Sequence, residues 1–223
     1  MNKVPGLNSN VFFDPVGLPF SQVSSVDPLF PTGVIAYYRM DEASGAVIDA
    51  VSGNNGTADG ATPNVTGKIN TAYDFDGLVD FINLDALVTP LASTTQGTWN
   101  LWVKPVVANS GNEEEIMSFG DADQNSYFEL RKAGTGVLVV SAVLTGTTEF
   151  VLVSDSVVFA DNTWAMVTLV QDGVSPVLYV DGVAIAQTFA TSTDKTYWFN
   201  DNAGIDNGRV GSFNIIFGNY RFF

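Results

Sequence analysis

The chain has 223 residues, 46% hydrophobic and 15% charged, with nine Lys and Arg against 24 Asp and Glu for a formal charge of −15. That balance repels phosphate backbones and anionic lipid, which argues against nucleic acid as a partner, and no apolar run reaches the ~18–20 residues of a membrane span, so no membrane insertion is expected. Cysteine and histidine are both absent, which removes disulfides, thiolate metal sites, the usual general base and the commonest transition-metal ligand.

Residues 1–33 hold five of the nine prolines (Pro5, Pro15, Pro19, Pro28, Pro31) together with Phe12, Phe13, Phe20 and Phe30. Proline blocks ladder pairing and helix interiors, whereas aromatic rings favour burial. This stretch is expected to be an extended anchoring arm, docked on its own domain or on other structural subunits of an oligomer or larger assembly. It lacks the apolar h-region of a Sec signal, so export by that route is not expected. The sequons at Asn55 and Asn64 are read as chance.

From residue 34 to 223 the text becomes short strands and turns. Strands are predicted at Ile35–Met40, Ala72–Phe75, Val79–Leu84, Thr98–Lys104, Tyr127–Leu130 and Val137–Val143, then at Phe150–Val153, Trp164–Val170, Val177–Val180, Val183–Ile185, Arg209–Phe213 and Ile215–Phe217. Ser52 to Gly56 is a turn cluster. Trp99 and Trp102 fall on opposite faces of their strand because its side-chain period is two. Asp181-Gly182 between apolar runs is a strong hairpin signal. Many short strands, turn signals and no sustained 3.6-residue period imply an all-β sandwich or barrel.

Three stretches carry candidate chemistry. Glu113, Glu114 and Glu115 form the one dense acidic run; only Glu113 and Glu115 are placed to share a strand face, and after the turn residues Asn109 to Asn112 the run reads as a solvated loop, so no catalytic residue is assigned. Asp49, Asn54 and Asn55 sit in one oxygen-rich loop with Asp41 and Glu42 close before it. Such a set suits a hard cation, and calcium is the expected cofactor, against the plainer reading of good turn residues. Asp121, Asp123 and Asn125 lack the rest of an EF-hand and read as a hairpin loop. Tyr197 and Trp198 beside Asp201, Asn202 and Asp206 combine aromatic faces with polar groups, which suits sugar stacking and hydrogen bonding.

Five blocks in order, YYRMDEASGAVIDAVSGNNGTADG (37–60), GKINTAYDFDGLVDFINL (67–84), GTWNLWVKP (97–105), NTWAMVTLVQDGVSPVLYVDGVA (162–184) and GNYRFF (218–223), resemble the laminin-G-like family of the concanavalin A-like lectin/glucanase superfamily. The resemblance implies an all-β, concanavalin A-like antiparallel β-sandwich (jelly roll), here with the extended N-terminal arm. It also implies a calcium beside the Asp49 loop. Family members continue after a segment like NYRFF with a final strand that often carries a helping Asp, whereas this chain stops at Phe223. Either the native protein runs on past Phe223, or the arm or a neighbour fills that place, since an unfilled one would leave unpaired backbone on two strands.

The function expected on these grounds is a non-catalytic binding or structural module, a virion (phage) decoration or fibre-type protein that displays a glycan- or surface-binding sandwich. A cell-surface or secreted carbohydrate-binding module is the alternative. A glucanase-like hydrolase is disfavoured by the missing carboxylate pattern. The expected location is the virion surface or the cell exterior.

Overall fold

The computed structural model describes Phe30 and residues 32–213. The expected arm, apart from Phe30, Thr32 and Gly33, lies outside the described residues, as do the predicted Ile215–Phe217 strand and the block 218–223. The chain divides into two compact units, Met1–Val34 and Ile35–Phe223, and every described strand belongs to the second.

The strands are β1 (Ala46–Val47), β2 (Gly56–Asp59), β3 (Thr62–Thr66), β4 (Thr71–Asp74), β5 (Phe81–Asn83), β6 (Gly97–Val103), β7 (Glu114–Gly120) and β8 (Tyr127–Lys132). They continue as β9 (Leu138–Leu144), β10 (Thr147–Ser154), β11 (Ala165–Gln171), β12 (Val177–Val180), β13 (Val183–Ala184), β14 (Gln187–Ser192) and β15 (Asn207–Val210). A nine-stranded sheet runs β1-β2-β5-β15-β7-β8-β9-β10-β14, a four-stranded sheet runs β13-β12-β11-β6, and β3 pairs with β4. All pairings are antiparallel.

Period-two patterning decides which side chains enter the core. Ala165, Val167 and Leu169 alternate inward on β11, in register with Val103, Leu101 and Trp99 of β6. Phe128, Leu130 and Lys132 do the same on β8. The two inner faces share one apolar cluster. Trp99 of the small sheet meets Phe119 of the large one at 5.6 Å between centroids, and Trp198 closes on Trp99 at 5.7 Å. Burying each such ring contributes roughly 1.5–3 kcal/mol. Trp99 and Trp102 fall on opposite faces as predicted, one 6% and the other 41% exposed. Asp181 and Gly182 both take positive φ, 51° and 80°, the pattern of a type I′ turn.

Two expectations are corrected. Ile35–Met40 is not a strand; Tyr38 alone bridges to Asp49. Side chains and turns take its backbone groups: Asp49 Oδ1 accepts from Tyr37 N at 3.0 Å, the Ser52 hydroxyl donates to the Ile35 carbonyl at 2.7 Å, and Ala50 N donates to the Tyr37 carbonyl at 2.9 Å. The acidic run is not a solvated loop either. Only Glu113 stays outside; Glu114 and Glu115 open β7, a strand buried along its whole length between β15 and β8. The mainly apolar stretch Ile116 to Phe119 draws them in, strand alternation sets the two on opposite faces, and a bulge follows between Glu115 and Met117.

Candidate functional site

The β4–β5 loop and the β6–β7 loop meet at one end of the sandwich. The first is shaped by its own carboxylates. Asp76 Oδ1 accepts from Leu78 N at 2.7 Å and Val79 N at 3.2 Å, and Asp80 Oδ2 accepts from Asp76 N at 2.8 Å. This turn, with Gly77 at φ 73°, pushes Leu78 and Val79 outward, 64% and 75% exposed. The second loop is tied down at Ala108 N, which donates to Asp161 Oδ1 at 2.7 Å, and at Gly111 N, which donates to the Gly134 carbonyl at 3.0 Å.

Between the loops lies a cleft of about 320 Å³ lined by Asp76, Gly77, Leu78, Val106, Val107, Ser110, Asn112 and Glu114. At its floor Glu114 Oε1 accepts from the Ser110 hydroxyl at 2.9 Å and faces Lys132 Nζ at 3.3 Å, while Lys132 Nζ donates to Ser110 Oγ at 3.2 Å. Lys132 is wholly buried and Glu114 is 5% exposed. Burial raises the Glu114 carboxyl above its ordinary range despite the Ser110 hydroxyl and the Lys132 charge. The cleft thus has apolar walls and a polar floor. It was missed from sequence because its parts lie far apart in the chain and the acidic run looked solvated.

The residues singled out from sequence have other work. The Asp49 carboxylate accepts five hydrogen bonds, from the backbone of Tyr37, Val51, Ser52 and Asn54 and from the Ser52 hydroxyl. Burial acts to raise its pKa, but these donors outweigh it and hold the carboxyl below the usual range. Asn55 Oδ1 accepts from Asp49 N at 3.0 Å, the Asn54 carbonyl from the Tyr38 hydroxyl, Glu42 Oε1 from Ile48 N at 2.9 Å, and Asp41 Oδ2 from Asn70 Nδ2 at 3.3 Å. Calcium needs six to eight oxygens at about 2.3–2.6 Å. Here N–H and O–H donors stand where the cation would, and no cluster of three or more carboxylates suited to a metal occurs among the described residues. As it stands, the set organises a turn.

The stacking expectation is corrected as well. Tyr197 and Trp198 are 2% and 1% exposed. Their rings pack on Phe128 at 5.2 and 5.3 Å, so neither offers a face to a sugar. Asp201 Oδ2 accepts from Trp198 N at 3.1 Å and closes a short 3-10 turn, Phe199–Asp201. Asn202 is buried, and exposed Asp206 accepts from the Asn207 amide at 2.7 Å. Asp121 accepts from Asn125 N and Ser126 N at 3.0 and 3.3 Å, the work of a turn residue.

The other face of the large sheet carries a second charged group. Glu115 sits opposite Arg131 in register, and Arg131 binds Glu129 at 3.0 Å and Glu113 at 2.6 Å. Over this face the Ser212 carbonyl accepts from Ser118 Oγ at 2.8 Å, and Phe213 stands edge-on to Tyr127 at 4.8 Å. Glu115 is 2% exposed. Burial and then the Glu129 carboxylate push it well above its ordinary 4.5; Arg131 opposes and Glu113 adds to the rise.

Two outcomes follow from these assignments. A carboxyl raised on folding holds its proton better in the native state, so it lowers stability as pH climbs past the unfolded value of 4.5. Thermal melts should therefore show Glu115→Gln gaining on the wild type between pH 4.5 and pH 8, with no such gain below pH 4; parallel pH profiles would contradict the assignment. At Asp49, melting temperatures should be equal in calcium and in chelator. Asp49→Ala should cost about 1–3 kcal/mol in both, by leaving its donors unsatisfied. A calcium-dependent rise abolished by Asp49→Ala would restore the metal.

Residues 76–221 match a laminin G-type family model of the concanavalin A-like lectin/glucanases superfamily. No curated protein matches the chain. Among solved structures, the carbohydrate-binding module CBM40 of the Ruminococcus gnavus IT-sialidase is 18% identical, with a TM-score of 0.52 over 67% of this chain and 89% of that one. The same module bound to alpha2,3 sialyllactose gives 19% identity and a TM-score of 0.50, over 63% and 81% of the two chains. The receptor-binding domain of the botulinum neurotoxin C/D mosaic serotype gives 20% identity and 0.53, over 79% of this chain and 43% of that one. These likenesses concern the fold, and they agree with the antiparallel two-sheet sandwich described above. The chain belongs to the concanavalin A-like lectin/glucanases superfamily.

Proposed function

We propose that this protein is a non-catalytic glycan-binding module whose sugar site is the cleft between the 76–80 and 104–113 loops. One observation carries the reading: apolar walls and a hydrogen-bonding floor share a cleft of about 320 Å³. Binding sites for small ligands span roughly 300–1,000 Å³ and combine an apolar lining with a few convergent polar groups. A pyranose ring matches that division, with its C–H face for Leu78, Val106 and Val107 and its hydroxyls for Ser110, Asn112 and Glu114. Recognition domains among the structural neighbours support using this sandwich as a binding scaffold, although a fold hosts many functions.

The carboxylates support a binding role over a catalytic one. Glycoside hydrolysis needs two carboxyl groups flanking the scissile bond, about 5–5.5 Å or 6.5–9.5 Å apart. Glu115 is buried on the sheet face opposite the one that carries Glu114 and the cleft, so the two do not flank one bond. Glu114 is engaged by Lys132 and Ser110, and Asp76 Oδ1 holds two backbone amides of its own loop. The finer assignment, display of the sandwich on a virion or cell exterior through residues 1–33, rests on the proline and phenylalanine content of that stretch.

A glycan array probed with the full chain tests the reading. The wild type should bind a subset of glycans. Leu78→Asp and Val107→Asp, both at exposed positions, should weaken that binding at least about ten-fold with little change in melting temperature, since each places a charge against the apolar sugar face. Binding untouched by either substitution, or no binding at all, would remove the cleft from the account.

A further inference from the structure

We infer that the outer face of the four-stranded sheet is a second binding site, separate from the cleft, and that it holds an extended polysaccharide chain. The strands β6, β11, β12 and β13 contain no Asp, Glu, Lys or Arg, in a chain that has 24 acidic and nine basic residues. One face of this sheet covers the core through Trp99, Val167, Leu169 and Leu178. The other meets solvent. Thr98, Asn100 and Trp102 alternate outward on β6 and all three are exposed, as are Val183 and Ala184 on β13. Trp102 keeps 41% of its surface in water, a large apolar area to leave uncovered.

The strand register sets out what this face presents. Trp102 lies beside Met166, and Asn100, Thr168, Tyr179 and Ala184 form the next row across the four strands. Thr168 Oγ1 donates to Asn100 Oδ1 at 2.9 Å, which orients the amide and its two N–H donors. Lys68 Nζ lies 5.0 Å from the Trp102 ring centroid and steadies the indole. Polar Asn100 and Thr168 thus stand between two aromatic rings. Two strand spacings across and two residues along separate the Cα atoms of Trp102 and Tyr179 by roughly 12 Å. A single sugar does not span that distance. A chain of linked sugars does, with rings stacked on Trp102 and Tyr179 and hydroxyls over the polar pair between them.

A second copy of the protein fits this face less well. Four strands about 4.8 Å apart, at most seven residues long, make a footprint below roughly 500 Å². A stable interface takes about 800 Å² from each partner. Two copies would also bring together formal charges of −15 each. A polysaccharide needs less area, brings its own hydroxyls to Asn100 and Thr168, and meets no charge on the four strands that must be desolvated.

Affinity electrophoresis of the full chain in gels containing β-glucan, galactan or xylan tests the inference. At least one of these should retard the wild type. Trp102→Ala and Tyr179→Ala should each weaken that binding roughly ten-fold, the cost of losing one covered aromatic ring. Trp102→Phe should retain most of it, and short oligosaccharides should compete poorly because they cannot reach both rings. Leu78→Asp, which disables the cleft, should leave the retardation unchanged. The inference is overturned if none of the three polysaccharides retards the protein, if retardation survives both alanine substitutions, or if Leu78→Asp removes it. A dimer in sedimentation that Trp102→Ala converts to monomer would assign the face to a second copy and overturn the inference as well. The cleft is judged by Leu78→Asp and Val107→Asp on the glycan array, so the two readings fail separately.

Discussion

A lysine with no exposed surface stands at the inward end of β8, and the arrangement around it depends on how its charge is met. Lys132 continues the inward series Phe128, Leu130, Lys132, so the strand period delivers an ammonium to the edge of the apolar core. A buried ion is tolerated only when paired and hydrogen-bonded. Glu114 meets it from β7, directly opposite in register, and Ser110 joins them from the β6–β7 loop. One electrostatic requirement therefore fixes the start of a central strand, the conformation of a loop and the floor of the cleft.

The same logic governs the other buried charges. Asp49 is satisfied almost entirely by backbone amides, which turns a sequence stretch suited to a cation into a rigid turn under Tyr37 and Tyr38. Glu115 has a different solution. It lies on the covered face with Glu129 and Arg131, where the carboxylates outnumber the one guanidinium, and it keeps its proton more readily than an exposed glutamate. In a chain this acidic, the buried carboxylates described here recruit donors, recruit a cation, or hold their proton to higher pH than an exposed one. Each choice restricts what that carboxylate does for a ligand, and at Glu114 a buried oxygen without a hydrogen-bond partner lies at the edge of a cleft.

Much of the fold was legible because it depends on local rules. The β11 alternation, the opposed faces of Trp99 and Trp102 and the Asp181-Gly182 turn follow from the strand period and from φ preferences, and all appear in the structure. What escaped depends on contacts distant in sequence. Glu114 and Glu115 read as solvated until Lys132 and Arg131 are set opposite them by the β7–β8 register. Tyr197 and Trp198 read as a sugar platform because they precede a polar loop, yet Phe128 and Trp99 claim their faces. Ile35–Met40 has strand composition but loses its ladder groups to Asp49 and Ser52. The one signal available for the buried pair was the apolar run Ile116 to Phe119 directly after the glutamates.

The central claim is that Glu114 and Lys132 act as one unit supporting both the core edge and the cleft. A double-mutant cycle with Glu114→Gln, Lys132→Met and the two combined, read by denaturant unfolding of the full chain, tests it most directly. Breaking a buried pair from one side costs about 3–5 kcal/mol, whereas replacing both partners together is often near neutral. Each single substitution should therefore be strongly destabilising, and the combined protein should recover most of that loss. Losses that simply add would contradict the account, because the two residues would then contribute independently.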